Sequence, residues 1–476
     1  MPVKLTAPAV SDPAKIRNVL LVGPSGSGKT MLTEELLVIA GALSRAGSID
    51  DGSTVSDHDD VEISTKRSVS LSVAACMVAD CKLNIIDSPG FPDFVGEVRA
   101  GLRAADAALF VVASTDGIDA ATTLLWEECA AVGMPRAIVV TKLDKDRADF
   151  DETVAVAQRL FGDGVHPMYF PLLNDAHHIA GLMNLLNRKV IDYSDGSQDV
   201  RAADPEHVAL TQSARNEFLE GVITESEDET LMDRFLSGDE LDLDLLMTDL
   251  ERAVARGHFF PVLPVAGPVG VREVAELIVK GFPSPLEHPQ PLVTTPNGDA
   301  VEAIECDPAG VLCAEVVKTV TDPYVGRISI ARVFSGTFLP DSTLHVSGHF
   351  APDRGHTDHD IDERAGSISV PIGKSLANIE RGIAGDIVAI AKLTHAETGD
   401  TLSSKDAPLL VEPWAMPEPL LPAAIVAHTK ADDDKLGQAL SRIVAEDPTL
   451  RLDRNAATGQ LVLWCLGDAH LELVLA

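Results

Sequence analysis

The sequence has 476 residues, of which 45% are hydrophobic, a length that corresponds to about three domains of ordinary globular size. Its formal net charge of −35 excludes a protein that coats nucleic acid through surplus lysine and arginine, and we expect no sequence-specific DNA partner. Docking on a ribonucleoprotein through a local basic patch stays open. No apolar run approaches the ~18 residues of a membrane span, and the first residues lack a signal peptide, so we expect a soluble, cytoplasmic protein without a membrane partner.

After a flexible leader, residues 1–17, an apolar strand runs into a glycine-rich turn and then a helix. This layout predicts a phosphate-binding loop, and a glycine-rich turn without such a role is the alternative. Backbone N–H groups turn inward around a β-phosphate, Lys29 reaches the β and γ oxygens, and the Thr30 hydroxyl is placed to ligate Mg²⁺. The predicted phosphate-binding residues are Gly23, Pro24, Ser25, Gly26, Ser27, Gly28, Lys29 and Thr30.

A second candidate loop follows the hairpin predicted over 69–86. The motif Asp87-Ser88-Pro89-Gly90 comes directly after the apolar second strand of this hairpin. In this position we expect the Asp to hold Mg²⁺ through water and the Gly amide to meet a γ-phosphate. A plain turn also fits this short motif, but the upstream phosphate loop favours a nucleotide site. The acidic segment 50–62, ahead of the hairpin, is expected to be a mobile loop.

A third loop, Thr141-Lys142-Leu143-Asp144, follows the apolar strand 137–140. The carboxylate of Asp144 is placed to accept hydrogen bonds from two adjacent N–H donors of guanine, a pattern that adenine does not present. Lys142 is expected to lie along the base and to contact the phosphate loop. The three loops together predict GTP or GDP, with Mg²⁺, as the ligand.

The order of strands and helices predicts a multidomain protein. Residues 18–289 are expected to form an α/β P-loop GTPase domain, with a doubly wound, mainly parallel sheet that holds the nucleotide at the carboxyl ends of its strands. Within this domain we expect an acidic, mostly helical insertion at about 151–257. Short β runs predict a β-barrel domain over 290–411, and residues 420–476 predict a small α+β domain.

Other groups with possible chemistry are interpreted as structural. The segment 352–364 contains several histidines and aspartates, but their spacing fits no helix or strand geometry for metal ligands, and we expect a solvated loop. His470 is expected to be a capping or core histidine rather than a ligand. The six cysteines lack the spacing of zinc ligands and are interpreted as reduced core residues.

With these loops in place, the chain resembles translational GTPases of the elongation factor G type, and specifically the diverged elongation factor G-like branch of bacteria. The resemblance includes Thr321-Asp322-Pro323-Tyr324-Val325-Gly326 and Arg332-Val333-Phe334-Ser335-Gly336-Thr337 in the second domain. In the third domain it includes Glu446-Asp447-Pro448-Thr449 and Gly467-Asp468-Ala469-His470-Leu471-Glu472. It implies guanine-nucleotide binding and contact with the ribosome. It also implies that the family's fourth and fifth domains are absent.

The departures from the family's pattern concern the site. The family reads D-T-P-G-H, and its His positions or polarises the attacking water, whereas this chain has Phe91, which can do neither. Ser70 stands where the family's R-G-I-T has Thr, and it can still offer a hydroxyl to Mg²⁺. Thr141 replaces the Asn of N-K-x-D. The family's S-A guanine loop is reduced to Ala266-Gly267, whose backbone N–H can meet the guanine oxygen.

The resemblance therefore assigns the catalytic positions to Lys29, Gly90 and Phe91, with hydrolysis impaired by the phenyl ring. Three functions stay open. The first is a ribosome-associated GTP/GDP-binding switch with weak or absent hydrolysis. The second is a ribosome-stimulated GTPase, active in elongation or ribosome protection, in which other groups replace the missing His. The third is a guanine-nucleotide-binding regulator that does not touch ribosomes.

Overall fold

The computed structural model describes residues 7–174, 178–194, 198–226, 228–238, 241–322, 326–349, 357–427, 429 and 432–475. The chain divides into two compact units. Unit 1 is Met1–Asn18, Val55–Ala105 and Ser284–Ala476, and unit 2 is Val19–Thr54 and Asp106–Pro283. The predicted hairpin region thus packs with the C-terminal part of the chain.

The first half of the chain alternates strands and helices. Its strands are β1 Ile16–Val22, β2 Ser72–Val78, β3 Cys81–Asp87, β4 Ala107–Ala113, β5 Arg136–Thr141, β6 Val165–Pro167, β7 Tyr169–Leu173, β8 Ile179–Asn184, β9 Lys189–Asp192, β10 Asp199–Ala202 and β11 Phe260–Pro264. Its helices are α1 Lys29–Ile39, α2 Asp60–Thr65, α3 Val95–Ala104, α4 Ala120–Ala131, α5 Phe150–Phe161, α6 Pro205–Thr224, α7 Glu229–Ser237, α8 Leu243–Ala255 and α9 Val271–Gly281. Short 3₁₀ helices span Pro13–Lys15 and Pro92–Phe94.

The rest of the chain is mainly β. Its strands are β12 Val293–Thr294, β13 Cys313–Asp322, β14 Gly326–Ser335, β15 Thr337–Phe338, β16 Thr343–Gly348, β17 His359–Arg364, β18 Ile368–Ile372, β19 Ser375–Asn378, β20 Gly382–Ile383, β21 Ile387–Ala391, β22 Thr401–Ser404, β23 Leu410–Val411, β24 Leu421–Ile425, β25 Arg451–Arg454 and β26 Leu461–Cys465. Its helices are α10 Asp433–Glu446 and α11 Asp468–Leu475.

Unit 2 is built on a parallel sheet in the order β1-β4-β5-β11-β6. Every residue of β4 and β5 is buried, which is expected when helices cover both faces of a parallel sheet. This sheet confirms the predicted α/β fold and its mainly parallel order. The carboxyl ends of its strands therefore lie at one edge of the sheet, where the first and third predicted loops begin.

The insertion at 151–257 differs from its prediction. Besides α6, α7 and α8 it contains an antiparallel sheet in the order β10-β9-β8-β7. These strands are four to six residues long, and residues such as Leu182 and Val190 are fully or almost fully buried. The sequence interpretation relied on the acidic composition of this stretch and missed its short strands.

Two further expectations near the N-terminus are corrected. The first strand begins at Ile16, and Ile16 and Arg17 are buried, so the predicted leader extends two residues too far. The acidic segment 50–62 includes the start of α2 and the buried side chains of Asp57 and Glu62. The capping hydrogen bonds of Asp59 and Glu62 stabilise an ordered turn where the sequence predicted a mobile loop.

In unit 1 the β2–β3 hairpin joins the strands of the second domain. Ser72 pairs with Asp87 in the hairpin, and Ile372 of β18 pairs with Ala74 of β2. The described strands between residues 290 and 411 include an antiparallel arrangement in which β13 and β14 are the longest, and we call this region the barrel domain. Its core includes Val316, Val333, Phe338, Val388 and Leu402. The third domain, residues 420–476, packs α10 and α11 with the sheet β24-β26-β25, and α11 was not predicted.

His470 is confirmed as a core histidine. It lies on α11, is 2% exposed, and its Nε2 lies 2.9 Å from Oδ2 of Asp447. All six cysteines are free and buried, as predicted. Burial raises the pKa of Cys76 and Cys129 to about 12, so both remain thiols at neutral pH.

A buried network of an ion pair and hydrogen bonds links β3 to the barrel domain. The ammonium of Lys82 lies 2.8 Å from the carboxylate of Asp386, and the two side chains are 1% and 7% exposed. Nδ2 of Asn84 donates to Oδ1 of Asp386 at 3.1 Å and to Oδ1 of Asn18 at 2.7 Å. Asn18 in turn donates to the carbonyl of Gly385 at 2.8 Å. The strand that ends at Asp87 is therefore fixed through side chains as well as backbone pairing.

The histidine- and aspartate-rich segment is also corrected. Residues 359–364 form strand β17, paired with β16 along six positions, rather than a solvated loop. Residues 352–356 lie outside the described part of the chain. Among the described residues, no group of three or more His, Cys, Asp or Glu is placed to hold a metal ion. Nε2 of His359 instead lies 2.9 Å from Oδ2 of Asp400, whose side chain is fully buried.

This pair predicts a pH-dependent contribution to stability. The hydrogen bond and charge of Asp400 raise the pKa of His359 to about 9, above its ordinary value of 6.5. The contribution is complete below pH ~6.5 and disappears as the pH rises through ~9, because between these two values the folded chain keeps a proton that the unfolded chain has lost. We expect about 1–2 kcal/mol, after a discount for solvent screening of the partly exposed ring.

Urea unfolding of the native chain and of His359→Gln at pH 6 and pH 10 measures this contribution. The two chains should differ at pH 6 and converge at pH 10. His395→Gln, a change at an exposed histidine of the same domain, should match the native chain at both pH values. A difference for His359→Gln that is equally large at pH 10 would contradict the assignment.

Candidate functional site

The predicted phosphate-binding loop lies between β1 and α1 in unit 2. Gly23 has a φ of +152°, and a Cβ at this position would lie 2.1 Å from the carbonyl oxygen of Val111. Gly28 has a φ of +99°, and its Cβ would lie 3.5 Å from Oγ1 of Thr141. Glycine is therefore required at Gly23 by close approach of the backbone to β4, and at Gly28 by the left-handed turn that starts the helix.

Lys29 is folded into this turn. It is 5% exposed, and its ammonium donates to the carbonyls of Gly23 at 2.7 Å and Pro24 at 2.9 Å. The hydroxyl of Ser27 is buried and has no hydrogen-bond partner within the described residues. Thr30 is buried in the first turn of α1. A lysine ammonium, a buried hydroxyl and the N-terminus of a helix together form a cradle suited to an anion.

The third predicted loop follows β5 and is joined to the first. The hydroxyl of Thr141 donates to the carbonyl of Ser27 in a short hydrogen bond. Lys142 was expected to contact the phosphate loop, but its ammonium lies 3.0 Å from Oδ2 of Asp116. Thr141, the residue that departs from the family's pattern, thus supplies the side-chain link between the two loops.

Asp144 and the Ala266-Gly267 turn complete this edge of unit 2. The carboxylate of Asp144 is 44% exposed and lies 2.7 Å from the ammonium of its neighbour Lys145. The N–H of Val265 donates to the carbonyl of Val140 at 2.8 Å, which brings the turn after β11 beside the loop after β5. The structure therefore brings the predicted residues 23–30, 141–144 and 266–267 together at the carboxyl edge of one parallel sheet.

The second predicted loop lies in unit 1, at the open end of the β2–β3 hairpin. Asp87 is the last residue of β3 and is 2% exposed. It pairs with Ser72, so that Ser70, two residues earlier, lies close to the same end of the hairpin. The two residues predicted to meet Mg²⁺ in this unit thus lie at the same end of the hairpin, Asp87 as the last residue of β3 and Ser70 just before β2.

Gly90 and Phe91 follow this strand end. Gly90 is buried, and Phe91 is partly exposed ahead of the 3₁₀ helix Pro92–Phe94. The Phe91 ring centroid lies 6.4 Å from that of Phe94 and 5.9 Å from the guanidinium carbon of Arg67. The side chain thus makes apolar and cation–π contacts, and it carries no group that can accept or donate a proton.

Sequence reasoning missed two acids around Ser70. Glu62 is 2% exposed and accepts the N–H groups of Val69 and Ser70 at 3.1 and 3.3 Å. Burial, with Asp57 nearby, raises the pKa of Glu62 to about 7. Glu97 accepts the N–H of Leu71 at 2.6 Å. The capping box of α2, Asp59 with Glu62, was a local signal for the first acid, whereas nothing local marks Glu97.

Comparison with known families supports the resemblance over most of the chain. The model of the elongation factor Tu GTP-binding domain matches residues 14–284. The model of elongation factor G domain 2 matches residues 312–405, and that of elongation factor G domain III matches residues 416–476. Within the described ranges, no helix is long and apolar enough to cross a membrane.

Relatives agree with these matches. Two proteins named elongation factor G-like protein, from two strains of Mycobacterium tuberculosis, are 52% identical to this chain over 477 residues. The alignment covers 98% of this chain and 66% of each relative. A crystal structure of a Thermus thermophilus protein has a TM-score of 0.82 at 32% identity and covers 97% of this chain and 65% of that one. The chain belongs to the elongation factor G-like family, and it spans just under two thirds of the length of the relatives that it matches.

Proposed function

We propose that this chain binds GTP and GDP and acts in the cytoplasm as a ribosome-associated translation switch with weak or absent hydrolysis. One observation carries the nucleotide-binding part: residues 23–30, 141–144 and 266–267 meet at the carboxyl edge of the parallel sheet. Ligands of doubly wound folds bind at this edge. The family supports the ribosome as the partner.

The roles of the site residues follow from their chemistry. The loop Gly23-Pro24-Ser25-Gly26-Ser27-Gly28 offers backbone N–H groups to the β-phosphate, and Lys29 neutralises the β and γ oxygens. Asp144 accepts two hydrogen bonds from guanine, the stem of Lys142 lies along the base, and the backbone of Ala266-Gly267 meets the guanine oxygen. Thr141 keeps the base loop fixed to the phosphate loop. Gly90 offers its amide to the γ-phosphate.

The side chains present also fit Mg²⁺. The described residues contain no all-protein cluster of His, Cys, Asp or Glu for a metal. Mg²⁺ in nucleotide sites takes few protein oxygens and completes its shell with water and phosphate, so that a lone carboxylate with hydroxyls suffices. The oxygens proposed for the metal are those of Thr30 in unit 2 and, in unit 1, those of Asp87 and Ser70. When bound, the metal would neutralise charge on the β and γ phosphates.

Weak hydrolysis is proposed because of Phe91. A phenyl ring cannot orient or polarise the attacking water, and this contribution is worth a factor of about 10²–10⁴. The remaining residues still bind and orient the nucleotide. The chain would therefore keep GTP bound longer than a hydrolysing relative does. Its effect would depend on whether GTP or GDP is bound.

Co-sedimentation with ribosomes tests the proposal. The chain is loaded with a non-hydrolysable GTP analogue or with GDP, and we expect more protein in the ribosomal pellet with the analogue. Lys29→Met should lower the affinity for GDP by about 10- to 100-fold, because it removes a charge-assisted contact, and should abolish the nucleotide-dependent pelleting.

Lys15→Met is the matched control, since Lys15 forms an exposed ion pair with Asp80 outside the loops. It should bind nucleotide and pellet like the native chain. A native chain that binds GTP but never pellets would contradict the ribosomal part and favour a regulator independent of ribosomes. A native chain that binds neither nucleotide would contradict the proposal as a whole.

A further inference from the structure

The turn after β11, residues 266–269, is closed by its own backbone. The N–H of Ala266 donates to the carbonyl of Val269 at 3.1 Å, and the N–H of Val269 donates back to the carbonyl of Ala266 at 3.1 Å. Gly267 lies at the exposed tip with a φ of +56°, and its N–H has no hydrogen-bond partner within the described residues. The N–H of Gly267 is therefore a backbone donor of this turn that remains available to a ligand.

The turn leads directly into α9, and the start of this helix is closely packed. Gly270 precedes the helix with a φ of +89°, and a Cβ at this position would lie 2.1 Å from the carbonyl oxygen of Pro264. Glycine has no side chain that could cap the helix. The carboxylate of Glu273, in the first turn, instead hydrogen-bonds its own backbone N–H, and a negative charge is favourable at this end of a helix.

Glu273 is buried and is bonded to residues of the insertion. It is 2% exposed, and the hydroxyl oxygen of Tyr193 lies 2.7 Å from its Oε2 and 2.9 Å from its Oε1. Nε2 of Gln198 donates to Oε1 at 2.8 Å. Burial raises the pKa of Glu273, whereas the hydrogen bonds from Tyr193 and Gln198 act in the opposite direction. A buried carboxylate is costly to leave without donors, so these bonds hold the first turn of α9.

Tyr193 is itself fixed to the sheet of the insertion. It directly follows β9, and its N–H donates to the carbonyl of Ala180 on β8 at 2.8 Å. Burial raises the pKa of Tyr193 far above its ordinary value of 10, whereas a hydrogen bond with the backbone of Gly270 acts in the opposite direction. The hydroxyl of Tyr193 thus contacts both Gly270 and Glu273, and it links the insertion sheet to the start of α9.

We propose that Tyr193 is a positioning residue for the turn 266–269, and that it acts through Glu273 and the start of α9. The inference rests on the proposed function, because it takes the N–H of Gly267 as the donor to the guanine oxygen. A donor that is already held in place loses less conformational entropy when the base binds. All of these residues belong to unit 2. The insertion thereby strengthens guanine-nucleotide binding through a side chain that lies outside the three predicted loops.

Isothermal titration of Tyr193→Phe, which removes only the hydroxyl, tests this inference. GDP and inosine diphosphate both carry the oxygen to which Gly267 would donate, whereas 2-aminopurine riboside diphosphate lacks it. The affinities for GDP and inosine diphosphate should fall by the same factor, about 3- to 10-fold, which is part of the free energy of one hydrogen bond to a charged group. The affinity for the 2-aminopurine analogue should stay within about twofold, because it offers no oxygen to the turn.

Tyr169→Phe is the matched control. Tyr169 is a buried tyrosine of the same insertion, and it pairs with Asn184 across β7 and β8. Loss of its hydroxyl should leave the affinity for GDP unchanged. In the background of Glu273→Gln, which keeps the size of the side chain but removes its charge, Tyr193→Phe should have a smaller effect than in the native chain, since Tyr193 acts through Glu273.

The outcomes separate this inference from the proposed function. A native GDP affinity in Tyr193→Phe, or an equal loss for GDP and the 2-aminopurine analogue, overturns the positioning role and leaves nucleotide binding intact. Thermal unfolding shows whether Tyr193→Phe is folded during the titration. If it is not, Gln198→Met, which removes the other donor to Glu273, should show a smaller loss confined to GDP and inosine diphosphate, and the absence of such a loss overturns the inference. If the native chain does not bind GDP, the proposed function fails and the positioning role fails with it.

Discussion

Replacing Phe91 with histidine is expected to raise the rate of GTP hydrolysis by about 10²–10⁴-fold. The imidazole would supply a group that can orient or polarise the attacking water, which the phenyl ring lacks. Phe91 is partly exposed and lies just before a short 3₁₀ helix, so a ring of similar size fits the same backbone. Single-turnover phosphate release, with and without ribosomes, measures the change.

Two comparisons make this result specific. Phe91→Leu also removes the aromatic contact with Phe94 and the cation–π contact with Arg67, but it adds no proton acceptor, and it should not accelerate hydrolysis. The affinity for GDP should be the same in all three chains, because position 91 contributes to the reaction and not to binding of the product. A native chain that already hydrolyses GTP as fast as Phe91→His would refute the proposed impairment and support a ribosome-stimulated GTPase.

Asp144→Asn is expected to lower the affinity for GDP by about 10²–10⁴-fold. The carboxylate accepts from two guanine donors, each charge-assisted bond contributes about 1.5–3 kcal/mol, and an amide offers one acceptor and one repelling N–H₂ in its place. Isothermal titration with GDP and ADP measures the loss and the change in base preference. The folded state should be little affected, because the side chain is 44% exposed and its pair with Lys145 is local.

Asp146→Asn provides the control for net charge in the same exposed turn. It should bind GDP like the native chain. If Asp144→Asn also keeps its GDP affinity, the third loop does not read the base, and the assignment of residues 141–144 would have to be abandoned even though they lie beside the phosphate loop.

Sequence reasoning succeeded where a function depends on a short stretch at the end of a strand. The glycine spacing of residues 23–28 and the T-K-x-D at 141–144 are local patterns, and parallel strands bring their carboxyl ends to one edge without further information. The parallel order was predictable for the same reason, since buried strands and helices alternate. The family resemblance then supplied Ala266-Gly267, which carries little signal of its own.

Contacts between the site and residues far away in the sequence could not be predicted from local patterns. Glu97 lies 2.6 Å from Lys318, a residue 221 positions away, and each alone is typical of a solvated surface position. The strands β7–β10 were missed because they are only four to six residues long and lie in a stretch that was interpreted from its acidic composition. Lys142 shows a third limit: the loop was predicted, but the ion pair with Asp116 depends on the geometry between two strand ends.

The buried pair of Lys82 and Asp386 constrains how this sequence can be recombined or evolve. Removing one partner of a buried ion pair costs about 3–5 kcal/mol, a large share of the roughly 5–15 kcal/mol that stabilise an ordinary domain. The two residues are 304 positions apart, in segments that a gene fusion or domain exchange would separate. A chimera that takes its barrel domain from a relative without an acid at position 386 would inherit an unmatched ammonium in its core. We therefore expect a lysine at position 82 and an acid at position 386 to be kept or lost together in evolution.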